Sequence, residues 1–114
     1  MGWPEHFDTD AFDMLKEVMD DEFPDLLRVY IEDSDSRLPL LHQALAAADA
    51  SALRELAHSF KGASSNISAL PLADLCFSLE SAAKNGELSG LDQVISAIEQ
   101  EYSTVKNYLQ PLLA

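Results

Sequence analysis

Residues 56–64 read Leu56-Ala57-His58-Ser59-Phe60-Lys61-Gly62-Ala63-Ser64, and the spacing of their apolar members predicts an amphipathic helix. At roughly 100° per residue, Leu53, Leu56, Ala57, Phe60, Ala63, Ser64 and Ile67 collect into one stripe. His58 points about 170° away from the centre of that stripe, toward water. Gly62 and Ser65 fall on the same side one and two turns on, and Lys61 flanks the ring from position i+3. A reactive ring is thus set among small residues and one cation, a surface that another protein can approach closely. Exposed histidines are ordinary; the glycine singles this one out. A mid-helix glycine costs about 1 kcal/mol against alanine, so Gly62 reads either as a point of backbone access or as a helix end. The stripe's continuation to Ile67 favours access.

Outward from this segment the periodicity stays helical and no convincing strand appears. A short first helix is expected from about 10 to 19, with Asp8, Thr9 and Asp10 offering cap oxygens ahead of it. A long helix follows from about 24 to 48, striped by Phe23, Leu27, Tyr30, Leu38, Leu41 and Leu45, with Pro39 predicting a kink near 35–38. Asp49 is placed to cap the His58 helix. A further helix spans about 71 to 84 and stops at Asn85-Gly86, a left-handed C-cap. The last runs from about 91 to 109 on Leu91, Val94, Ile95, Ile98, Tyr102, Val105 and Leu109. Short connections favour antiparallel neighbours. The expected fold is all-α, an up-and-down antiparallel four-helix bundle with a short extra N-terminal helix. Residues 1–114 form a single domain, with 1–9 expected to be loosely ordered.

With 114 residues and 47% hydrophobic content, one core is the natural outcome. No apolar run approaches the ~20 residues of a membrane span, and Met1-Gly2-Trp3-Pro4-Glu5 lacks the basic and apolar regions of a signal peptide, so the chain is read as cytoplasmic. The lone cysteine, Cys76, shares helical spacing with Leu72, Leu75 and Leu79 and reads as a core residue. The net charge of −13 is uneven: residues 1–35 hold twelve of the twenty acids against Lys16 and Arg28. Between Ser51 and Asn66 the only charges are Arg54, Glu55 and Lys61, so the surroundings of His58 escape the acidic excess. Nucleic acid and anionic membrane are disfavoured as partners.

Other chemistries find less support. Glu55 and His58 have the E-x-x-H spacing of carboxylate di-metal bundles, but neither His6 nor His42 repeats it, and both residues point away from the expected core. No G-x-S-x-G elbow and no glycine-rich nucleotide loop is present. An acyl-carrier reading fails because the nearest sequence to an attachment site, Asp33-Ser34-Asp35, lies inside a predicted helix.

Ala57-His58-Ser59-Phe60-Lys61-Gly62-Ala63-Ser64 resembles the core motif of the histidine-containing phosphotransfer (HPt) domains of bacterial multistep phosphorelays, in which Ala-His is followed by a variable residue, then Leu-Lys-Gly and small residues. Upstream, Tyr30-Ile31-Glu32-Asp33-Ser34 through Arg37-Leu38, Leu41, Ala44-Leu45 and Asp49 is similar to that family's preceding helix. Downstream, Leu75-Cys76, Leu79 and Glu80 resemble its next one, with altered early spacing. Ser68 stands where the family often has glycine, which predicts a changed helix end and intact chemistry.

The resemblance implies a phosphocarrier, not an enzyme. His58 is the nucleophile, through Nε2, and Lys61 an electrostatic aid to the phosphoryl oxygens. Gly62 clears the approach and Ser65 lines it. A receiver domain of a hybrid sensor kinase supplies the aspartyl phosphate, the Mg²⁺ and a lysine, and a response-regulator receiver takes the phosphoryl group on. No cofactor of its own and a monomeric state are expected. Arg54 and Phe77 are candidate docking residues; Phe77 sits about 150° off its own helix's stripe and either fills a groove against the His58 helix or lies exposed as a contact. The alternative reading is an acidic helical adaptor that binds a receiver or other protein through the same face without phosphorylation.

Overall fold

A computed structural model describes residues 2–113. Its helices are α1 (Trp3–His6), α2 (Thr9–Met19), α3 (Phe23–Ala46), α4 (Ala50–Asn66), α5 (Leu70–Lys84) and α6 (Leu91–Leu109), with 3₁₀ turns at Asp20–Glu22 and Gln110–Leu113. Among the described residues there is no strand. The four long helices form an up-and-down bundle in which α3 packs on α4, α4 on α5, α5 on α6, and α6 back on α3. The body measures 41 × 24 × 19 Å.

The core is built mainly from the stripes read from the sequence, with Phe7 added to them. Leu27, Leu41, Leu53, Phe60, Leu72, Leu79, Ile95, Ile98 and Leu109 are fully buried, and each contributes roughly 1.5–3 kcal/mol of transfer free energy. Cys76 joins them, and burial pushes its thiol up to about 12, so it stays a neutral packing group. Tyr30 and Tyr102 bury their rings and keep partners for their hydroxyls. The Tyr30 hydroxyl lies 2.8 Å from Ser64 Oγ, and the single Tyr102 O–H is shared between Asp35 at 2.7 Å and the Ile31 carbonyl at 3.1 Å. Burial raises both phenol pKa values, which keeps them neutral donors.

Helix ends follow local chemistry. Asp8 and Asp49 cap α2 and α4 by accepting from the Ala11 and Ala52 amides at 3.2 and 3.0 Å. Helix α3 stops two residues short of the expected end because Ala48 turns left-handed at φ +54°. It runs unbroken through Pro39, although Pro39 has no amide to give the Asp35 carbonyl. Gly86, at φ +73°, takes the left-handed place after α5.

The expectation of a loosely ordered 1–9 segment is corrected. Met1 lies outside the described residues, but Trp3–His6 is helical and Phe7 is buried. The cause is an aromatic cluster that local periodicity could not show: the Trp3 ring lies 4.9, 5.2 and 4.8 Å from those of Phe7, Phe12 and Tyr108. His6 adds a 2.7 Å contact with Glu101, and the Asp8 amide donates to the Ser68 carbonyl at 2.9 Å. The acidic N-terminal third is thereby tied to the far end of α4, ten residues and about 15 Å along the helix from His58.

Candidate functional site

Helix α4 places its buried face on the bundle and His58 on the opposite side. Ala57 and Phe60 are fully buried, whereas the His58 side chain is 68% exposed. Three contacts to α3 seat this part of α4. Arg37 donates to Ser59 Oγ at 3.1 Å and lies over the Phe60 ring, 5.9 Å from its centroid; Ser64, one turn after Phe60, meets Tyr30.

The decisive partner comes from α5. Glu80 Oε2 lies 2.9 Å from His58 Nδ1, and its other oxygen lies 2.8 Å from Lys61 Nζ. Glu80 is largely covered, with 15% of its side chain exposed. Its hydrogen bond to Lys61, and then that to His58, hold its carboxyl below the usual range against the opposing effect of burial. An ionised carboxylate only accepts, so Nδ1 carries the ring hydrogen and donates it. The lone pair is then on Nε2, the nitrogen that faces water.

Lys61 also lies over the ring of Phe77, 5.2 Å from its centroid. Gly62 lies inside α4 with nothing within 4 Å of the place a Cβ would occupy, so the chain next to His58 borders open space. Arg54, one turn before His58, lines a surface pocket of about 420 Å³ with Ser51, Glu55, His58 and Glu80. Ser65 is exposed but two turns away and is not brought to the ring; its carbonyl accepts from the Ser68 amide at 2.9 Å. Ser68 takes the left-handed conformation itself, at φ +65°. Among the described residues no cluster of three His, Cys, Asp or Glu side chains suits a metal ion.

Glu80 received no role from the sequence. A signal was present: the turn between α4 and α5 is short and centred on Ser68, so residues nearly equidistant from it face each other. His58 is ten residues before Ser68 and Glu80 twelve after.

The model of the Hpt domain matches residues 25–108 of this chain, a span that includes the exposed His58 and Lys61. The chain belongs to the Hpt domain family. As an Hpt protein it is a phosphorelay intermediate, a carrier of phosphoryl groups. The Hpt fold is shared over nearly the whole length with the crystal structure of histidine-containing phosphotransfer protein B (HptB) from Pseudomonas aeruginosa PAO1. The TM-score is 0.92 at 44% identity, covering 95% of this chain and 94% of that one. The chain is also 27% identical over 113 aligned residues to histidine-containing phosphotransfer protein 2 of Arabidopsis thaliana, covering 93% of this chain and 72% of that protein. No helix among the described residues is long and apolar enough to cross a membrane.

Proposed function

We propose that His58 is the phosphoacceptor of this Hpt domain, taking a phosphoryl group from a receiver-domain aspartate of a hybrid sensor kinase and passing it to the receiver of a response regulator in the cytoplasm. The observation that carries this reading is the pairing of an exposed Nε2 with an Nδ1 held by Glu80. In the step itself, the Nε2 lone pair forms the N–P bond while the P–O bond to the aspartate breaks and the carboxylate leaves. The ring keeps its Nδ1 proton and gains positive charge, which the Glu80 carboxylate faces. Lys61 turns toward the phosphoryl oxygens. Gly62 leaves room for the receiver to bring donor and acceptor into line. The Mg²⁺ and the remaining charge neutralisation belong to the receiver, so this chain contributes orientation and a nucleophile.

The test is incubation with a phosphorylated receiver domain and Mg²⁺. Wild-type protein is expected to take up acid-labile, alkali-stable label, and His58→Gln to take up none while melting at the wild-type temperature, because the exposed ring adds little to the core. Label on His6 or His42 in that variant would overturn the assignment.

A further inference from the structure

Two residues of α5 answer two residues of α4. His58 and Lys61 are one turn apart on α4, Phe77 and Glu80 one turn apart on α5, and the antiparallel packing sets Glu80 against His58 and Phe77 against Lys61. Phe77 is the odd ring of the molecule. The other four phenylalanines are buried, whereas Phe77 is 55% exposed and has no place in the core cluster. Core packing therefore does not account for an aromatic side chain here; its contact with Lys61 does.

We propose that Phe77 is a positioning residue that acts through Lys61, holding the ammonium at the edge of the site without neutralising it; this rests on the reading of His58 as phosphoacceptor. The two α5 partners of Lys61 differ in kind. Glu80 attracts the ammonium and cancels its charge, whereas the face of a phenyl ring attracts a cation through its quadrupole and leaves the full charge available. When a phosphoryl group arrives at Nε2, Lys61 must give up part of its contact with Glu80 and turn to the phosphoryl oxygens. A lysine stem freed from a carboxylate ordinarily spreads over many rotamers in water. Over the Phe77 ring it stays on the α5 side of His58, within a short swing of its target, and less orientational freedom is lost on the way to the transition state.

The competing role for an exposed ring is direct contact with the receiver, and a double-mutant cycle separates the two. Single-turnover transfer from a labelled phospho-receiver, with Mg²⁺ present, is followed over a range of receiver concentrations for wild type, Phe77→Leu, Phe77→Tyr, Lys61→Ala and the Lys61→Ala/Phe77→Leu double variant. The expected result is a maximal rate about two- to fivefold lower in Phe77→Leu, the size of an exposed cation–π contact. Half-saturation stays unchanged, Phe77→Tyr restores the rate, and Phe77→Leu adds nothing once Lys61 is alanine. A raised half-saturating concentration with equal losses in both Lys61 and Ala backgrounds overturns the proposal and makes Phe77 a docking contact. Wild-type rates in Phe77→Leu overturn it as well. Absence of label on His58 in the wild type is a different outcome: it removes the phosphoacceptor reading first, and the role of Phe77 with it.

Discussion

Nδ1 of His58 lies 2.9 Å from Oε2 of Glu80, a contact between residues 22 apart in the chain and on separate helices. It decides which ring nitrogen keeps its lone pair, since a hydrogen-bonded Nδ1–H leaves that pair on Nε2 of the exposed ring. The orientation of the His58 ring is therefore a property of the α4–α5 packing.

Variants of Glu80 should separate its two contacts. Glu80→Gln keeps an oxygen that can accept from Nδ1 but loses the ion pair with Lys61; Glu80→Ala loses both. Single-turnover transfer is expected to fall modestly in the first and by at least a further several-fold in the second, because a misplaced ring costs rate steeply. Equal rates in the two variants would show that orientation of the ring has no part.

The same carboxylate predicts a pH dependence. Glu80 is held below its ordinary value of 4.5, chiefly by its hydrogen bond to Lys61 and then by that to His58. A depressed carboxylate stabilises the fold fully above its unfolded value and loses that contribution as pH falls through the lower, folded value. The gap between wild-type and Glu80→Gln urea midpoints should accordingly stay open above pH 4.5 and close below it. A gap that widens on acidification would contradict the assigned direction.

Lys61→Ala should slow transfer without abolishing it. One part-exposed charge-assisted contact is worth on the order of 1–2 kcal/mol, a loss of about tenfold, and in the proposed mechanism the receiver's Mg²⁺ neutralises the rest. Rates equal to wild type at low salt would reduce Lys61 to a solvated residue.

Gly62 separates stability from function. It sits inside α4 with ordinary helical backbone and open space around its missing Cβ. Gly62→Ala should therefore stabilise the fold by up to about 1 kcal/mol through helix propensity and a stiffer unfolded chain. Gly62→Gln should leave the melting temperature near that of Gly62→Ala while transfer falls steeply, since the longer side chain projects into the receiver's approach. Normal transfer by Gly62→Gln would remove the access argument.

At Ser68 the effect runs the other way. A non-glycine residue at φ +65° carries roughly 1–2 kcal/mol of local strain, part of which glycine's greater unfolded freedom offsets. Ser68→Gly should raise stability by about 0.5–1 kcal/mol in a denaturant titration and leave transfer unchanged, ten residues away from the acceptor. Destabilisation by that variant would mean that the serine side chain holds the turn.

By itself the sequence determined the five longer helices, their core stripes and the outward direction of His58, because each depends on a period of 3.6 residues within one segment. The Asp49 cap, the left-handed Gly86 and the place of Lys61 and Gly62 beside the ring are local in the same sense. Tertiary structure alone decided what meets what across helices. Glu80 against His58, Phe77 against Lys61, and Trp3 and Phe7 in an aromatic cluster with Tyr108 all require the register in which separate segments pack. An amphipathic stripe specifies only which side is buried, so Glu80 reads as one more charged surface residue and Trp3 as part of a loose terminus until the bundle closes around them. Ser65 shows the converse: it shares a side with His58 on the wheel, yet two turns of rise separate it from the ring.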